Sequence, residues 1–268
     1  MLNEKYQKLK DSLLEMESVV VAFSGGVDST FLLRVARDVL GVENVLALTA
    51  TSPTYPEYEL EESRDLAREM GVRQVEVESD ELKIPGFSQN DRDRCYHCKM
   101  ELFSICKEKA QELGYQFILD GSNLDDLDDI RPGRKAVEEL AVRSPLLEAE
   151  LTKNDIRLLS RDLNLPTWHK QPFACLSSRF PYGTEITPER LLQVGQCETF
   201  LRHNRIRNYR VRYHNETARI EVAPDEIGKF IDPEFRQAVV KEFKTAGFTY
   251  VTLDLEGYRT GSMNEVQP

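Results

Sequence analysis

Ser18-Val-Val-Val-Ala-Phe-Ser-Gly-Gly-Val-Asp-Ser29 is the stretch on which the architecture turns. Residues 18–23 form a nearly unbroken apolar run rich in β-branched side chains, the pattern of a strand buried on both faces in a parallel sheet. The run passes straight into Ser24-Gly25-Gly26-Val27-Asp28-Ser29, and a helical pattern follows from about Thr30 to Leu40. Two glycines at such a turn let the backbone approach an anion with no Cβ in the way. The amides that open the helix then offer donors and positive potential. Ser24 and Ser29 add hydroxyls, and Asp28 is suited to help hold Mg²⁺. The loop lacks the Gly-Lys-Ser/Thr ending of a kinase-type phosphate loop, which disfavours γ-phosphoryl transfer.

Outward from that loop the chain alternates strand and helix. Residues 2–17 read as an amphipathic helix with Tyr6, Leu9, Leu13, Leu14 and Met16 near one face. After the phosphate loop come a strand at 45–49 ending in Ala50-Thr-Ser-Pro53, a helix at 57–70 and a strand at 74–77. A polar stretch carrying Cys95 and Cys98 leads to a helix from about Lys99 to Leu113 and a strand at 117–120. This order predicts a doubly wound α/β fold on a parallel sheet, with ligands at the carboxyl ends of its strands. Thr49 and Ser52 lie at one such end, and Asp120 and Gly121 at another. After about Phe180 the pattern changes to short alternating strands around residues 206–213, 218–222 and 250–255 and a helix at 232–246. We expect a domain over 1–180 and a smaller C-terminal α+β domain over 181–268.

The chain has 268 residues, 46 Asp and Glu against 35 Lys and Arg, and a net charge of −11. That balance disfavours a nucleic-acid partner, which calls for a basic footprint. Nothing approaches the roughly 18 apolar residues of a membrane span, and the polar start does not read as a signal peptide. A cytoplasmic, membrane-free protein with reduced cysteines is the expectation.

With the Val-Ala-Phe strand before it and Val-Asp-Ser within it, the loop resembles the SGGxDS signature of PP-loop ATP pyrophosphatases, an adenine nucleotide alpha hydrolase-like fold. The resemblance implies ATP and Mg²⁺ as cofactors and cleavage between the α- and β-phosphates, with adenosine seated at residues 49–52. Asn123-Leu-Asp-Asp-Leu-Asp-Asp-Ile-Arg-Pro-Gly133 is dense in carboxylates, and Arg131, Arg134 and Lys135 are able to meet phosphates or carboxylates. Together with Ala174-Cys-Leu-Ser-Ser-Arg-Phe-Pro-Tyr-Gly-Thr184, Val211-Arg-Tyr-His-Asn215, Tyr250-Val-Thr-Leu-Asp254 and Gly261-Ser-Met-Asn264, this loop narrows the resemblance to the LarE family of ATP-dependent sulfur transferases. What that implies is adenylation of a pyridinium dicarboxylate mononucleotide, replacement of AMP by sulfur in making a nickel-pincer nucleotide, and assembly as a homo-oligomer, a hexamer by resemblance.

A thiocarboxylate needs a sulfur nucleophile. Cys175 is the candidate, with Arg179 close by to hold phosphate or favour the thiolate. Arg94-Cys95-Tyr-His-Cys98-Lys99 by itself is compatible with a redox pair or half a zinc site. A redox pair would open a helix in a thioredoxin-like unit, which is not this context, and His97 between two cysteines is poorly placed to join them on one metal. The resemblance favours a [4Fe–4S] cluster on Cys95, Cys98 and Cys175, because some members carry this set. The alternatives are a sacrificial Cys175 and zinc on Cys95, Cys98 and Cys175. Aligned on Ser-Ser-Arg-Phe, the consumed cysteine of single-cysteine members falls at Ala174 here. Cys106, Cys197, Trp168 and His169 read as packing and surface. Arg210 and Arg212 share a strand face, either solvated or aimed at a substrate phosphate, and the resemblance favours phosphate. Glu198 and Glu221 match carboxylates that bind metal in some relatives, but Lys229 replaces the Asp of that set. The rivals are a PP-loop amidating ligase similar to NAD synthetase, a tRNA thiolase, and a nucleotide-binding module without catalysis.

Overall fold

A computed structural model describes residues 2–127, 132–171, 174–259 and 262–264. The chain divides into two compact units, one of Met1–Phe87 with Arg92–Phe173, the other of Ser88–Asp91 with Ala174–Pro268.

The first unit is built on the apolar runs found in the sequence. Strand β1 (Val19–Ala22) lies between β2 (Val45–Thr51) and β4 (Phe117–Leu119), and β3 (Arg73–Glu78) pairs with β2, so the order is β3-β2-β1-β4. All three pairings are parallel, which obliges the chain to cross over through helices. Period-two alternation distributes β1, β2 and β4 between two cores. Val19, Val21, Val45 and Ala47 pack in one core with residues of α1 (Leu2–Leu14), α2 (Val27–Leu40) and α7 (Lys153–Asp162). Val20, Leu46 and Leu48 join the other with Phe103 and Cys106 of α4 (Arg94–Leu113) and Ala136 of α5 (Gly133–Glu139). A doubly wound parallel sheet is therefore what the strand–helix alternation produces. Helix α3 (Glu57–Glu69) links β2 to β3, and the short α6 (Pro145–Glu148) precedes α7. Thr152 caps α7 in a reciprocal box with Asp155.

Two local expectations are corrected. Helix α1 ends at Leu14, which is 58% exposed rather than on the buried face with Leu9, Leu13 and Met16. Helix α4 begins at Arg94, about one turn and a half before the expected start, so Cys95 and Cys98 do open a helix.

The second unit carries a three-stranded sheet in the order β5-β6-β7. Strands β5 (Arg210–His214) and β6 (Thr217–Glu221) are antiparallel, and β7 (Tyr250–Leu253) runs parallel to β6. Helix α8 (Pro188–His203) starts at Thr187, whose side chain accepts from the Arg190 N–H, and α9 (Pro233–Thr245) starts at the Asp232 cap. Leu191, Val194, Cys197, Val211, Ile220 and Phe243 are all buried in this unit. The Asn90 side chain, within the Ser88–Asp91 segment, donates to the Phe180 and Pro181 carbonyls.

Candidate functional site

Parallel sheets offer ligands a crevice where neighbouring strands carry their chains to opposite faces. In the first unit that place is the carboxyl end of β1, flanked by β2 and β4. The loop from Ser24 to Ser29 sits there. Gly25 has φ +64°, and a Cβ on it would lie 3.1 Å from the Ser63 Cβ of α3 and 3.3 Å from its Cα. Only glycine therefore fits both the conformation and the space. Gly26 caps α2 in extended conformation, and its N–H donates to the Ser24 hydroxyl at 3.4 Å. The Ser29 hydroxyl lies 3.2 Å from that of Ser24 and donates to the Gly26 carbonyl at 3.3 Å. The loop thus pre-forms its turn by internal hydrogen bonds, ahead of a 14-residue helix whose dipole favours an anion at this end.

The end of β4 abuts the same helix start. A Cβ on Gly121 would be 3.2 Å from the Ser29 N and 3.4 Å from the Asp28 Cβ. Asp120 accepts from the Ser144 hydroxyl at 2.6 Å and the Ser122 hydroxyl at 2.5 Å, with the Lys99 ammonium 3.7 Å away. Asp28 is paired with Lys153 and accepts from the Asn123 amide at 3.4 Å. Burial pushes its carboxyl above the ordinary aspartate range, against the opposing pull of Lys153. The Lys153 ammonium is the cation that offsets this burial.

At the end of β2 the hydroxyls have structural partners. Thr49 donates to the Phe23 carbonyl at 2.8 Å and accepts from the Gln74 amide, which ties β2 to the start of the phosphate loop. Ser52 and Thr54 lie 2.9 Å apart, and both reach the buried carboxylate of Glu81. The Cys98 thiol donates to the other Glu81 oxygen at 3.0 Å. One carboxylate therefore joins the Ser52 turn to the second cysteine of the pair. Cys95 is exposed and Cys98 half-buried, one helical turn apart on α4. Arg131 lies outside the described residues.

Cys175 belongs to the second unit, so the three-thiol set is not contained in either unit alone. It precedes a 3₁₀ turn, Leu176–Arg179. The Arg179 guanidinium grips Glu198 bidentately at 2.8 and 2.9 Å. It also donates to the Ala174 and Cys175 carbonyls at 2.8 and 3.2 Å and to the Ser178 hydroxyl at 2.7 Å. In this arrangement Arg179 shapes the loop that presents Cys175. Arg210 and Arg212 are both buried rather than solvated. Arg212 pairs with Glu221 at 2.7 Å and donates to the Ser178 carbonyl at 3.1 Å. Arg210 stacks over Tyr258, and burial followed by the neighbouring Arg179 pushes its guanidinium down from its ordinary value. Glu198 and Glu221 are the counterions of these arginines, and Lys229 pairs with Glu226. Among the described residues no three His, Cys, Asp or Glu side chains are gathered as a metal-holding set.

Three residues of the first unit were not singled out from sequence. Lys153 opens α7 beside Asp28, Lys170 donates to the Gly25 carbonyl at 3.2 Å, and the Tyr55 hydroxyl donates to the Ser24 carbonyl at 2.9 Å. The one available signal was the Thr152-x-x-Asp155 box, which locates the first turn bearing Lys153.

Cys106 and Cys197 are buried, and burial pushes the Cys106 thiol up to about 12. No described helix is long and apolar enough to cross a membrane.

Residues 2–96, which include the phosphate loop and the first cysteine, match the NAD synthase family model. The chain is 43% identical to an uncharacterized protein of Synechocystis over 99% of both. An uncharacterized protein of Methanocaldococcus jannaschii is 31% identical over 96% of this chain and 98% of its own length. The pyridinium-3,5-bisthiocarboxylic acid mononucleotide synthase of Lactiplantibacillus plantarum is 39% identical over 98% of this chain and 95% of its own. At that identity, over that length, the chain belongs to the family of that synthase, the LarE family of PP-loop proteins.

Proposed function

We propose that this protein is an ATP- and Mg²⁺-dependent sulfur transferase acting on a pyridinium dicarboxylate mononucleotide, in the making of a nickel-pincer nucleotide. The observation that carries the reading is the similarity to the Lactiplantibacillus synthase along the whole chain, with a glycine-shaped anion loop at the central strand end. A substrate carboxylate oxygen attacks the α-phosphorus of ATP and pyrophosphate leaves. The amides of Gly25 and Gly26, the hydroxyls of Ser24 and Ser29 and the start of α2 hold the leaving phosphates. Asp28 and Asp120 supply carboxylates for Mg²⁺, while residues 49–52, Gly121 and Arg131 frame the nucleotide. In the second unit Arg210 and Arg212 serve the substrate phosphate, and Arg179 holds the turn that carries Cys175. That unit is also where we place homo-oligomer contacts. Neither a nucleic acid nor a membrane belongs to this scheme, and a cytoplasmic setting suits it.

Sulfur then displaces AMP from the acyl carbon. In one route the Cys175 sulfur forms a thioester, and elimination across its Cα–Cβ bond leaves the thiocarboxylate and a dehydroalanine. In the route favoured by the Cys95–Cys98 pair, these thiols and Cys175 would hold a [4Fe–4S] group, which would supply an additional sulfide, beyond its own four, as the nucleophile. Zinc on the same thiols is the remaining alternative. Two helix-borne thiols one turn apart are the right donor chemistry for either metal centre.

The test is incubation of purified protein with ATP, Mg²⁺ and the dicarboxylate mononucleotide, following pyrophosphate release and oxygen-for-sulfur exchange by mass. An undiminished product yield from Cys175→Ala, or an amide formed with ammonia, would overturn the reading in favour of an amidating ligase. Thiolation of tRNA instead would do so in favour of a tRNA enzyme. Iron and sulfide analysis under anaerobic conditions separates the routes: about four irons per chain for the cluster, or loss of roughly 34 Da from Cys175 for sacrifice.

A further inference from the structure

The phosphate loop is held from behind by two side chains that its motif does not contain. The Tyr55 hydroxyl donates to the Ser24 carbonyl at 2.9 Å, and the Lys170 ammonium donates to the Gly25 carbonyl at 3.2 Å. Neither comes from a neighbouring turn, since they lie 31 and 145 residues along the chain. Lys170 is itself fixed by Glu59 at 2.6 Å and Glu62 at 2.7 Å, both on α3. Its side chain is 17% exposed and that of Glu59 6%, so the ammonium is held in one place rather than sampling solvent. Although burial acts to lower it, the two carboxylates hold Lys170 above the ordinary lysine range, and it stays charged.

A trans peptide points its C=O and its N–H in opposite directions, and no described peptide is cis. Engaging the Ser24 carbonyl therefore aims the Gly25 N–H away from Tyr55. Engaging the Gly25 carbonyl likewise aims the Gly26 N–H away from Lys170. These two amides precede α2, where an anion is favoured. In the loop as built, the Gly26 N–H meets only a long 3.4 Å contact from the Ser24 hydroxyl, a bond that a phosphate oxygen would replace with a stronger one.

We propose that Tyr55 and Lys170 are positioning residues of the phosphate loop, clamping two consecutive carbonyls so that the Gly25 and Gly26 amides face the pyrophosphate end of ATP. This inference rests on the adenylation reading above. It assigns to the pair α3–Lys170 a duty toward the β- and γ-phosphates and none toward adenosine.

The experiment compares binding of Mg·ATP, Mg·pyrophosphate and AMP to the full-length protein by calorimetry. Tyr55→Phe removes one clamp without changing charge. Lys170→Met alone would leave two carboxylates uncompensated, so it is made together with Glu59→Gln and Glu62→Gln. Affinity for Mg·ATP and Mg·pyrophosphate should fall about fivefold in the first variant and about tenfold or more in the second. AMP affinity should stay within about twofold, so the pyrophosphate-to-AMP ratio is the readout. Unchanged ATP and pyrophosphate affinity in both variants overturns the clamp. An equal loss for AMP and pyrophosphate, with a lowered unfolding midpoint, overturns it too and leaves a merely structural role. If the wild-type protein binds none of the three, the adenylation reading fails and the clamp with it.

Discussion

Arg179→Met is the most informative single substitution in the second unit. The side chains of Arg179 and Glu198 are 1% and 3% exposed and joined by two hydrogen bonds. Glu198 also accepts the Val211 N–H at 2.9 Å, so the pair connects the Cys175 turn, α8 and β5. Removing the guanidinium leaves a carboxylate in a space without bulk water. Breaking one partner of such a pair costs about 3–5 kcal/mol, which is a two- to three-and-a-half-decade shift in the unfolding equilibrium and a large fraction of a typical domain's stability. The carbonyls of Ala174 and Cys175 lose their donor at the same time. Urea titration should show the drop in midpoint, and amide exchange in β5 and β6 should accelerate. The double variant Arg179→Met with Glu198→Gln removes the stranded charge and should recover at least half of the loss, because an uncompensated buried charge is the larger part of the penalty. A single variant within about 1 kcal/mol of wild type, below the range for a broken buried pair, would refute the argument. So would a double variant no more stable than the single.

Gly25→Ala forces φ +64° on a β-carbon that also meets the Ser63 backbone, about 1–2 kcal/mol for the conformation and about 1–3 for the overlap. Gly26→Ala meets only the rotatable Ser24 hydroxyl at 3.3 Å. Equilibrium dialysis should therefore show a much larger loss of ATP affinity in the first. The raised Asp28 carboxyl binds its proton more tightly in the folded than in the unfolded chain. Its contribution to stability is thus present below the ordinary aspartate value and lost as pH rises through the folded one. Asp28→Asn should accordingly melt higher than wild type at neutral pH while losing Mg²⁺-dependent pyrophosphate release. Lys153→Ala removes the influence that opposes burial, so the acid limb of the pH–rate profile should move to higher pH. Alkylation followed by mass mapping at mildly alkaline pH should label the exposed Cys95 first and Cys106 only after denaturation, since burial holds that thiol at about 12.

The sheet was legible because its signals are local: β-branched runs, period-two alternation and a glycine pair at a strand end. The start of α4 was not, because in Arg94-Cys-Tyr-His-Cys a single side chain, Tyr96, continues the core-facing series of Met100 and Phe103. The partners of the loop were hidden for another reason. A lysine in sequence does not announce which carbonyl it will meet 145 residues away. Arg210 and Arg212 show the same limit: alternation placed them on a strand, but only the facing Glu221 and Tyr258 explain why that strand buries charge.

The four residues Ser88–Asp91 turn the second unit from a suffix into a composite. Its fold is encoded in two places, and the buried Asn90 that satisfies the Phe180 and Pro181 carbonyls is carried by the earlier one. A gene fragment starting at Ala174 would therefore take the Asn90 amide from both carbonyls, and of the two Pro181 keeps a donor within the fragment, the Thr184 N–H. Shuffling or fusion that treats the C-terminal segment as a transferable cassette should fail, because the Gly183 and Ile186 amides also donate to the earlier segment, to the Asn90 and Ser88 carbonyls.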